Sequence, residues 1–153
     1  MRFTIFAAAL VAMGMLAAAP AAAGDLSPAA NAAFLAANAG KPGVVTRPSG
    51  LQYRVLKSGH GRTPKTSDVV RVTYSGHLID GTVFDQTQPG QIAEFPAGRL
   101  IAGWVEALSL MKEGDRWELV IPSNLAYGER GAGDGLIPPN QVLVFEMELI
   151  AVK

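Results

Sequence analysis

The chain has 153 residues, of which 49% are apolar and 17% charged, and its 13 basic and 13 acidic side chains leave no formal net charge. A length of about 150 residues predicts one domain, and the balanced charge leaves no basic footprint for nucleic acid. The sequence contains no cysteine and only two histidines. It therefore excludes a disulfide framework, a thiol nucleophile, a thiolate zinc site and a multi-histidine metal centre.

Residues 1–23 have the order of parts that is typical of a secretory signal peptide. A single base, Arg2, is followed by an apolar run and then by three alanines that end at Ala23. We expect cleavage after Ala23, so that the mature chain starts at Gly24 and has no stable membrane insertion. The alternative is an uncleaved anchor, but the uncharged stretch is just shorter than a span usually requires. Export, with a bacterial periplasm as the destination, suits a chain that forms no disulfides.

Residues 24–48 are predicted to form a short helical arm and a linker. Ser27, followed by proline, can cap a helix of about three alanine-rich turns that Gly40 ends. The only large apolar side chains of this helix are Phe34 and Leu35. It could dock on the following domain or pair weakly with a second copy, so a monomer and a weak dimer both remain open.

From residue 49 onward the patterns are mainly those of β-strands. Alternating apolar and polar residues predict strands at 51–59, 67–75, 116–121 and 141–152, with a turn at Asp80-Gly81. One core helix is predicted over Leu100–Met111, with its inward residues at helical spacing: Ile101, Trp104, Val105 and Leu108. Residues 49–153 are therefore expected to form an α+β domain, in which a twisted antiparallel sheet of about five strands wraps around one short helix.

Familiar catalytic motifs are missing from this domain. The glycine-rich run at 128–135 lacks the Lys-Ser/Thr ending of a phosphate-binding loop and precedes two prolines, so a flexible surface loop is expected. Asp80 is explained by its turn, whereas Asp85 at a strand end stays of interest. His60 and His77 are isolated from any nucleophile motif and are expected to be ordinary polar positions.

Five aromatic residues fall on different predicted elements, namely Tyr74, Phe84, Trp104, Tyr127 and Phe145. They could simply form part of the core. Tryptophan and tyrosine nevertheless carry polar groups and are often found where one end of the ring stays in contact with water. If the five converge, they would build an apolar pocket with few polar groups, which is the usual form of a small-ligand site.

The residues around these aromatics resemble those of FKBP-type peptidyl-prolyl cis–trans isomerases. The matching runs are VRVTYSGHLIDGTVFDQT at 70–87, LIAGWVEALSLMKEGDRWELVIPSNLAYGERG at 100–131 and IPPNQVLVFEMELI at 137–150. The resemblance covers about residues 49–153. The segments FPAGRLIAGW and TRPSGLQYRVL are similar to those of the bacterial exported branch, related to macrophage infectivity potentiator proteins, which often carry a long helical dimerisation arm.

The resemblance implies one pocket, in which Trp104 forms the floor and Asp85 lies at the rim and orients its neighbours. The backbone N–H of Ile101 and the hydroxyl of Tyr127 would bond substrate carbonyls. The implied catalytic residues are Tyr74, Phe84, Asp85, Ile101, Trp104, Tyr127 and Phe145. The implied substrate-binding residues are the aliphatic Leu100, Leu136 and Ile137.

Two departures from the family pattern concern this pocket. A wall position that is aromatic in many relatives falls near Ala93, so that side is expected to be more open. A loop histidine found in some relatives has no counterpart in the run RGAGDG. Both departures affect the expected substrate preference and inhibitor affinity.

The implied function is rotation of X–Pro bonds during the folding of exported proteins, with proline-containing unfolded chains as partners and no metal or cofactor. Inhibitors of the FK506 macrolide type are further candidate ligands. An alternative function is that of a holdase chaperone that binds unfolded chains through the same cleft without useful catalysis. A third is a structural envelope protein that stays anchored by an uncut signal.

Overall fold

The computed structural model describes residues 24–153, so the expected signal peptide at 1–23 lies outside the described residues. Within 24–153, no helix is long and apolar enough to cross a membrane. The helices are α1 (Pro28–Ala39) and α2 (Ala102–Leu108). The strands are β1 (Val45–Thr46), β2 (Gln52–Lys57), β3 (Val69–His77), β4 (Val83–Gln86), β5 (Ala93–Pro96), β6 (Arg116–Ile121) and β7 (Leu143–Val152).

All strand pairs are antiparallel, in the order β1-β2-β6-β7-β3-β4, and β5 also pairs with β3. The expected α+β architecture is confirmed. The sheet has seven strands rather than about five, because β1 and β5 are too short to give an alternation that can be read. β1 has two residues between glycine- and proline-rich turns, and the four residues of β5 end on Pro96.

The alternation of β7 places its four predicted inward residues on the inner face of the sheet, as the sequence predicts. Leu143, Phe145, Met147 and Leu149 of β7 are each 0% exposed, whereas Glu146 is exposed. The turn at Asp80-Gly81 is also present, and Gly81 has the positive φ of 90° that glycine tolerates. The inner face of the sheet therefore forms the core on which α2 packs.

Helix α2 is shorter than the Leu100–Met111 prediction. Ile101 stays extended at its N-terminal cap and the helix ends at Leu108. Its buried residues are Gly103, Trp104, Ala107 and Leu108 rather than the predicted set with Ile101 and Val105. The reason is steric, because glycine and alanine let the helix lie close to the sheet. A Cβ atom on Gly103 would stand 2.6 Å from Cγ2 of Ile121.

Helix α1 has the predicted caps and docks on the outer face of the sheet. The Ser27 hydroxyl accepts a hydrogen bond from the N–H of Ala30, and Gly40 follows the last turn. Phe34 and Leu35 pack against a cluster formed by Val120, Val142 and Val144. Of the two open alternatives for the arm, the structure shows docking on its own domain.

The linker after α1 is tied to α2. The Arg47 guanidinium and the Ser49 hydroxyl both donate to the Glu106 carboxylate, at 3.0 Å and 2.6 Å. Glu106 follows Trp104 by two residues in α2, so these bonds attach the helix that carries the tryptophan to the linker. The linker therefore braces α2 from outside the core.

Candidate functional site

The aromatic residues singled out in the sequence converge around Trp104. The Trp104 ring lies 5.1 Å from Tyr74 and 5.2 Å from Phe145, measured between ring centroids, with interplanar angles of 84° and 78°. Phe84 meets Phe145 edge-on at 5.5 Å. Edge-to-face contacts of this kind are favourable because the positive ring edge meets the negative ring face. The rings therefore form one rigid aromatic group.

Four elements supply this aromatic group: β3 carries Tyr74, β4 carries Phe84, α2 carries Trp104 and β7 carries Phe145. A glycine in β3 makes room for two of the rings. A Cβ atom on Gly76 would lie 2.5 Å from Cε1 of Phe145 and 2.8 Å from Cζ of Phe84. Any larger residue at this position would displace one of these rings.

Phe95 completes the aromatic group and was missed by the sequence prediction. Its ring centroid lies 5.8 Å from Trp104 and 6.0 Å from Tyr74. The four residues of β5 are too few to show an alternation in the sequence, and the inward position of Phe95 follows only from its pairing with the buried Val70 of β3. Ala93, near which the pocket wall was expected to be more open, is partly buried and packs against the same core.

Asp85 lies against the hydroxyl of Tyr74 and is 0% exposed, so its expected position at the rim is wrong. A register shift in the pairing of β3 with β4 lets two successive residues, Phe84 and Asp85, both face inward. The Asp85 carboxylate accepts a 2.9 Å hydrogen bond from the hydroxyl of Tyr74. Burial raises the pKa of Asp85 to about 7, although bonds from Tyr74 and the Gln86 amide act in the opposite direction.

The pKa values of the two tyrosines of the site are raised by burial and by the same carboxylate, that of Asp85. Burial, followed by the charge of Asp85, raises the pKa of Tyr127 well above its ordinary value. The pKa of Tyr74 is raised by burial and by its interaction with Asp85. Both hydroxyls therefore stay protonated at neutral pH and can act as hydrogen-bond donors.

The expected aliphatic residues belong to, or pack against, the core cluster that contains the aromatic group. Leu100, Ile101, Leu136 and Tyr127 are partly buried against the core, and Ile137 is 4% exposed. Ile101 caps α2, and an N-terminal cap residue has no intrahelical acceptor for its N–H. The site thus combines an apolar surface with a small number of polar groups.

The glycine-rich loop at 128–135 is not built like a phosphate-binding loop. A short 3-10 turn covers Gly128–Arg130, and Ala132 forms an isolated bridge with Ile137. No helix follows the glycines, and prolines lead the chain into β7. The loop instead brings Tyr127, Leu136 and Ile137 to the core cluster that contains the aromatic group.

Comparison with known proteins identifies the family. Residues 60–150 match the family described as FKBP-type peptidyl-prolyl cis-trans isomerase. Residues 5–55 match the domain described as amino terminal to FKBP-type peptidyl-prolyl isomerase. The first match covers more than half of the chain and includes every residue of the aromatic group.

Similar proteins agree with this match. The outer membrane protein MIP of Legionella longbeachae is 52% identical over 122 residues, which are 79% of this chain and 52% of that protein. A 22 kDa FKBP-type peptidyl-prolyl cis-trans isomerase of Escherichia coli K12 is 55% identical over 120 residues, 78% of this chain and 58% of that protein. The chain thus spans little more than half the length of these two relatives.

A solved structure matches this chain over nearly the whole length of that structure. The crystal structure of a peptidyl-prolyl cis-trans isomerase from Pseudomonas syringae pv. tomato matches with a TM-score of 0.77 and 42% identity. The match covers 86% of this chain and 99% of the other. The sequence, the fold and the aromatic group agree: the chain belongs to the FKBP-type peptidyl-prolyl cis-trans isomerase family.

Proposed function

We propose that this chain accelerates the cis–trans isomerisation of X–Pro bonds in unfolded polypeptides. The observation that carries the proposal is the Trp104 ring, which is 2% exposed and surrounded by Tyr74, Phe95 and Phe145. The family match and the isomerase names of its relatives support it. Those relatives do not favour the alternative of a holdase without catalysis.

The reaction suits a site without a nucleophile because it only rotates a bond. Amide resonance gives the C–N bond partial double-bond character and a barrier of ~18–20 kcal/mol. Resonance also places negative charge on the amide oxygen, and this charge is lost when the bond twists. An apolar surface therefore favours the twisted amide over the planar one, which is differential binding of the transition state. Lowering the barrier by ~7 kcal/mol would accelerate rotation about 10⁵-fold.

The residues divide into those that hold the proline ring and those that hold the flanking chain. Trp104 would contact the ring, with Tyr74, Phe84, Phe95 and Phe145 fixing the orientation of Trp104 or lining the pocket. Leu100, Leu136 and Ile137 would line its sides. The Tyr127 hydroxyl and the Ile101 N–H would donate to substrate carbonyls, and Asp85 would orient Tyr74 through their hydrogen bond.

The two tryptophans give a matched test of this assignment. Trp104 is 2% exposed in the aromatic group, whereas Trp117 is 5% exposed and stacks on Tyr53 at 4.2 Å. Trp104→Phe should lower kcat/KM on a proline-containing peptide by at least about tenfold, because the shorter ring leaves the proline ring poorly packed. Trp117→Phe should leave kcat/KM near the wild-type value, since it loses the same indole away from the site.

Tyr127→Phe and Asp85→Ala extend the test to the polar groups. Each should lower kcat/KM, Tyr127→Phe by losing a donor and Asp85→Ala by freeing the Tyr74 hydroxyl. A wild-type chain that does not accelerate isomerisation above background would overturn the proposed function. Wild-type rates in all the site variants would overturn the residue assignment while leaving the activity intact.

Export is the second part of the proposal. Residues 1–23 would be a signal peptide cleaved after Ala23, residues 24–48 an arm and linker, and residues 49–153 the isomerase domain of a periplasmic protein. The basic start, apolar run and small residues support this division. N-terminal sequencing of exported protein should find Gly24 first, and a retained Met1 would favour an anchored protein instead.

FK506-type macrolides are proposed ligands, which inhibition of the isomerase rate would test.

A further inference from the structure

The arm helix α1 is attached to the sheet at two places by a similar pair of side chains. Near its start, the Asn31 amide N–H donates to Gln141 Oε1 at 3.3 Å. Near its end, the Asn38 amide N–H donates to Gln52 Oε1 at 2.7 Å. Asn31, Asn38, Gln52 and Gln141 are each between 3% and 5% exposed. The two attachments therefore share the same kind of hydrogen bond and the same burial. They differ in the segment of the domain to which each one joins the arm.

The Asn31 attachment holds the end of the loop that contributes to the site. The buried N–H of Val142 donates to Asn31 Oδ1 at 2.8 Å, immediately before β7 begins. Gln141 Nε2 donates to the carbonyl oxygens of Leu26 and Pro139, each at 3.1 Å. The arm thus fixes the backbone of Pro139 to Val142 through side-chain bonds that no strand pairing supplies.

This anchored segment is connected directly to the site residues. The N–H of Asn140 donates to the carbonyl of Gly128 at 2.8 Å, next to Tyr127, and Ile137 is bonded to Ala132 across the loop. Asn140 has a positive φ of 60°, which few residues other than glycine adopt. Movement of the anchored end would therefore pass to both Tyr127 and Ile137.

We infer that Asn31 is a positioning residue for the site: through Val142 and Gln141 it fixes the loop that carries Tyr127, Leu136 and Ile137. This inference rests on the proposed isomerase function. Asn31 acts on the geometry of the loop and has no place in the aromatic group itself. Removing its side chain would leave the buried N–H of Val142 without an acceptor, so the loop end would move to find water or another partner.

Asn38 provides the matched control because its partner, Gln52, lies in β2, which carries no site residue. Asn31→Ala should lower kcat/KM about tenfold, whereas Asn38→Ala should lower it by less than about twofold at a comparable loss of thermal stability. The measurement is made on the full chain, expressed with residues 1–23 and purified after processing by the host.

Amide hydrogen exchange gives a readout that does not depend on activity. Asn31→Ala should speed exchange at Val142, Asn140 and Ile137, while Asn38→Ala should leave these amides protected. Equal losses of kcat/KM in the two variants, or accelerated exchange with unchanged kcat/KM in Asn31→Ala, would overturn the inference. If an asparagine variant does not fold, the comparison of Gln141→Ala with Gln52→Ala decides in the same way. An inactive wild type would contradict the proposed function, and the exchange data would still show whether Asn31 anchors the loop.

Discussion

Asp85 is a carboxylic acid in a place where the charged form is poorly solvated. It is 0% exposed, and its one strong side-chain partner is the hydroxyl of Tyr74 at 2.9 Å. Burial raises its pKa to about 7, against an ordinary value of 3.8. The folded protein therefore binds a proton here that the unfolded chain has already released, at every pH between these two values.

A pH-dependent loss of stability follows from this shift. Because the folded-state pKa lies above the unfolded one, the free energy of unfolding should fall as the pH rises from about 4 to about 7, with an upper limit on the order of 4 kcal/mol. Asp85→Asn keeps an acceptor for Tyr74 and removes the ionisation. Urea unfolding between pH 5 and pH 8 should show the wild type losing stability relative to Asp85→Asn.

Asp80→Asn is the control for this measurement. Despite partial burial, the amides of Thr82 and Gly24 lower the pKa of Asp80, so it stays ionised throughout this pH range. Its stability curve should therefore run parallel to that of the wild type. A parallel curve for Asp85→Asn as well would show that Asp85 does not carry the expected shift.

The residue types in the sequence are enough to predict most of the site, but they do not reveal how deeply each side chain is buried. Trp104, Tyr74 and Phe145 stand out in the sequence because large aromatic residues are few. Asp85 was expected at the rim, since its burial depends on a register shift between β3 and β4 that alternation cannot reveal. Phe95 was missed because it lies in a strand of four residues.

At the scale of elements, the distance between α2 and the sheet determines the position of Trp104. Gly103 faces β6, and a Cβ atom there would lie 2.6 Å from Ile121 Cγ2 and 2.9 Å from its Cδ1. Ile121 is 0% exposed and cannot move away into solvent. The missing side chain of Gly103 thus sets the distance between helix and sheet.

Gly103→Ala should therefore destabilise the protein although alanine is the better helix former. Alanine gains up to ~1 kcal/mol of helix propensity, but overpacking against Ile121 should cost about 1–3 kcal/mol. Thermal unfolding should show a lower midpoint, and kcat/KM should fall because Trp104 is adjacent. Gly40→Ala is the matched control, since its φ is −89° and its nearest neighbour would be Ala37 O at 3.7 Å. A neutral Gly103→Ala would contradict this account.

The elements that could be predicted are those with local signals at both ends. Helix α1 begins at its serine cap and ends before Gly40 as the sequence indicates, and β6 has the predicted bounds of 116–121. The prediction for helix α2 is too long because the apolar residues before and after it, Ile101 and Met111, fit helical spacing although the helix covers only Ala102–Leu108. Only the surrounding core determines which apolar residues a helix includes.

For the whole molecule, the arm covers an outer face of the sheet that would otherwise be exposed. Val120, Val142 and Val144 are 1%, 2% and 5% exposed beneath α1. Phe34 and Leu35 provide the apolar contact and the two asparagines provide the polar one. Composition could predict a short helix but not this contact, because it is the asparagines rather than the apolar residues that are most deeply buried.

Charge placed beneath the arm should therefore loosen it. Leu35→Asp puts a carboxylate against the valine cluster and should cost about 2 kcal/mol, which lowers Tm by ~4–8 °C. Ala36→Asp, on the exposed side of the same helix, should leave Tm within about 2 °C of the wild type. Thermal unfolding checks both, and sedimentation velocity should show self-association in Leu35→Asp once the valine face is uncovered. Equal Tm values for the two variants would count against the docking of α1.

The position of β7 bears on when this chain can fold during its synthesis. β7, which follows the other six strands along the described residues, lies in the middle of the sheet, with β6 on one side and β3 on the other. Neither half of the sheet can close before residues 143–152 are available, and pairings so distant in sequence form slowly. The sheet therefore stays incomplete until β7 has been synthesised, and a chain in that state suits the threading through a translocation channel that the proposed export requires.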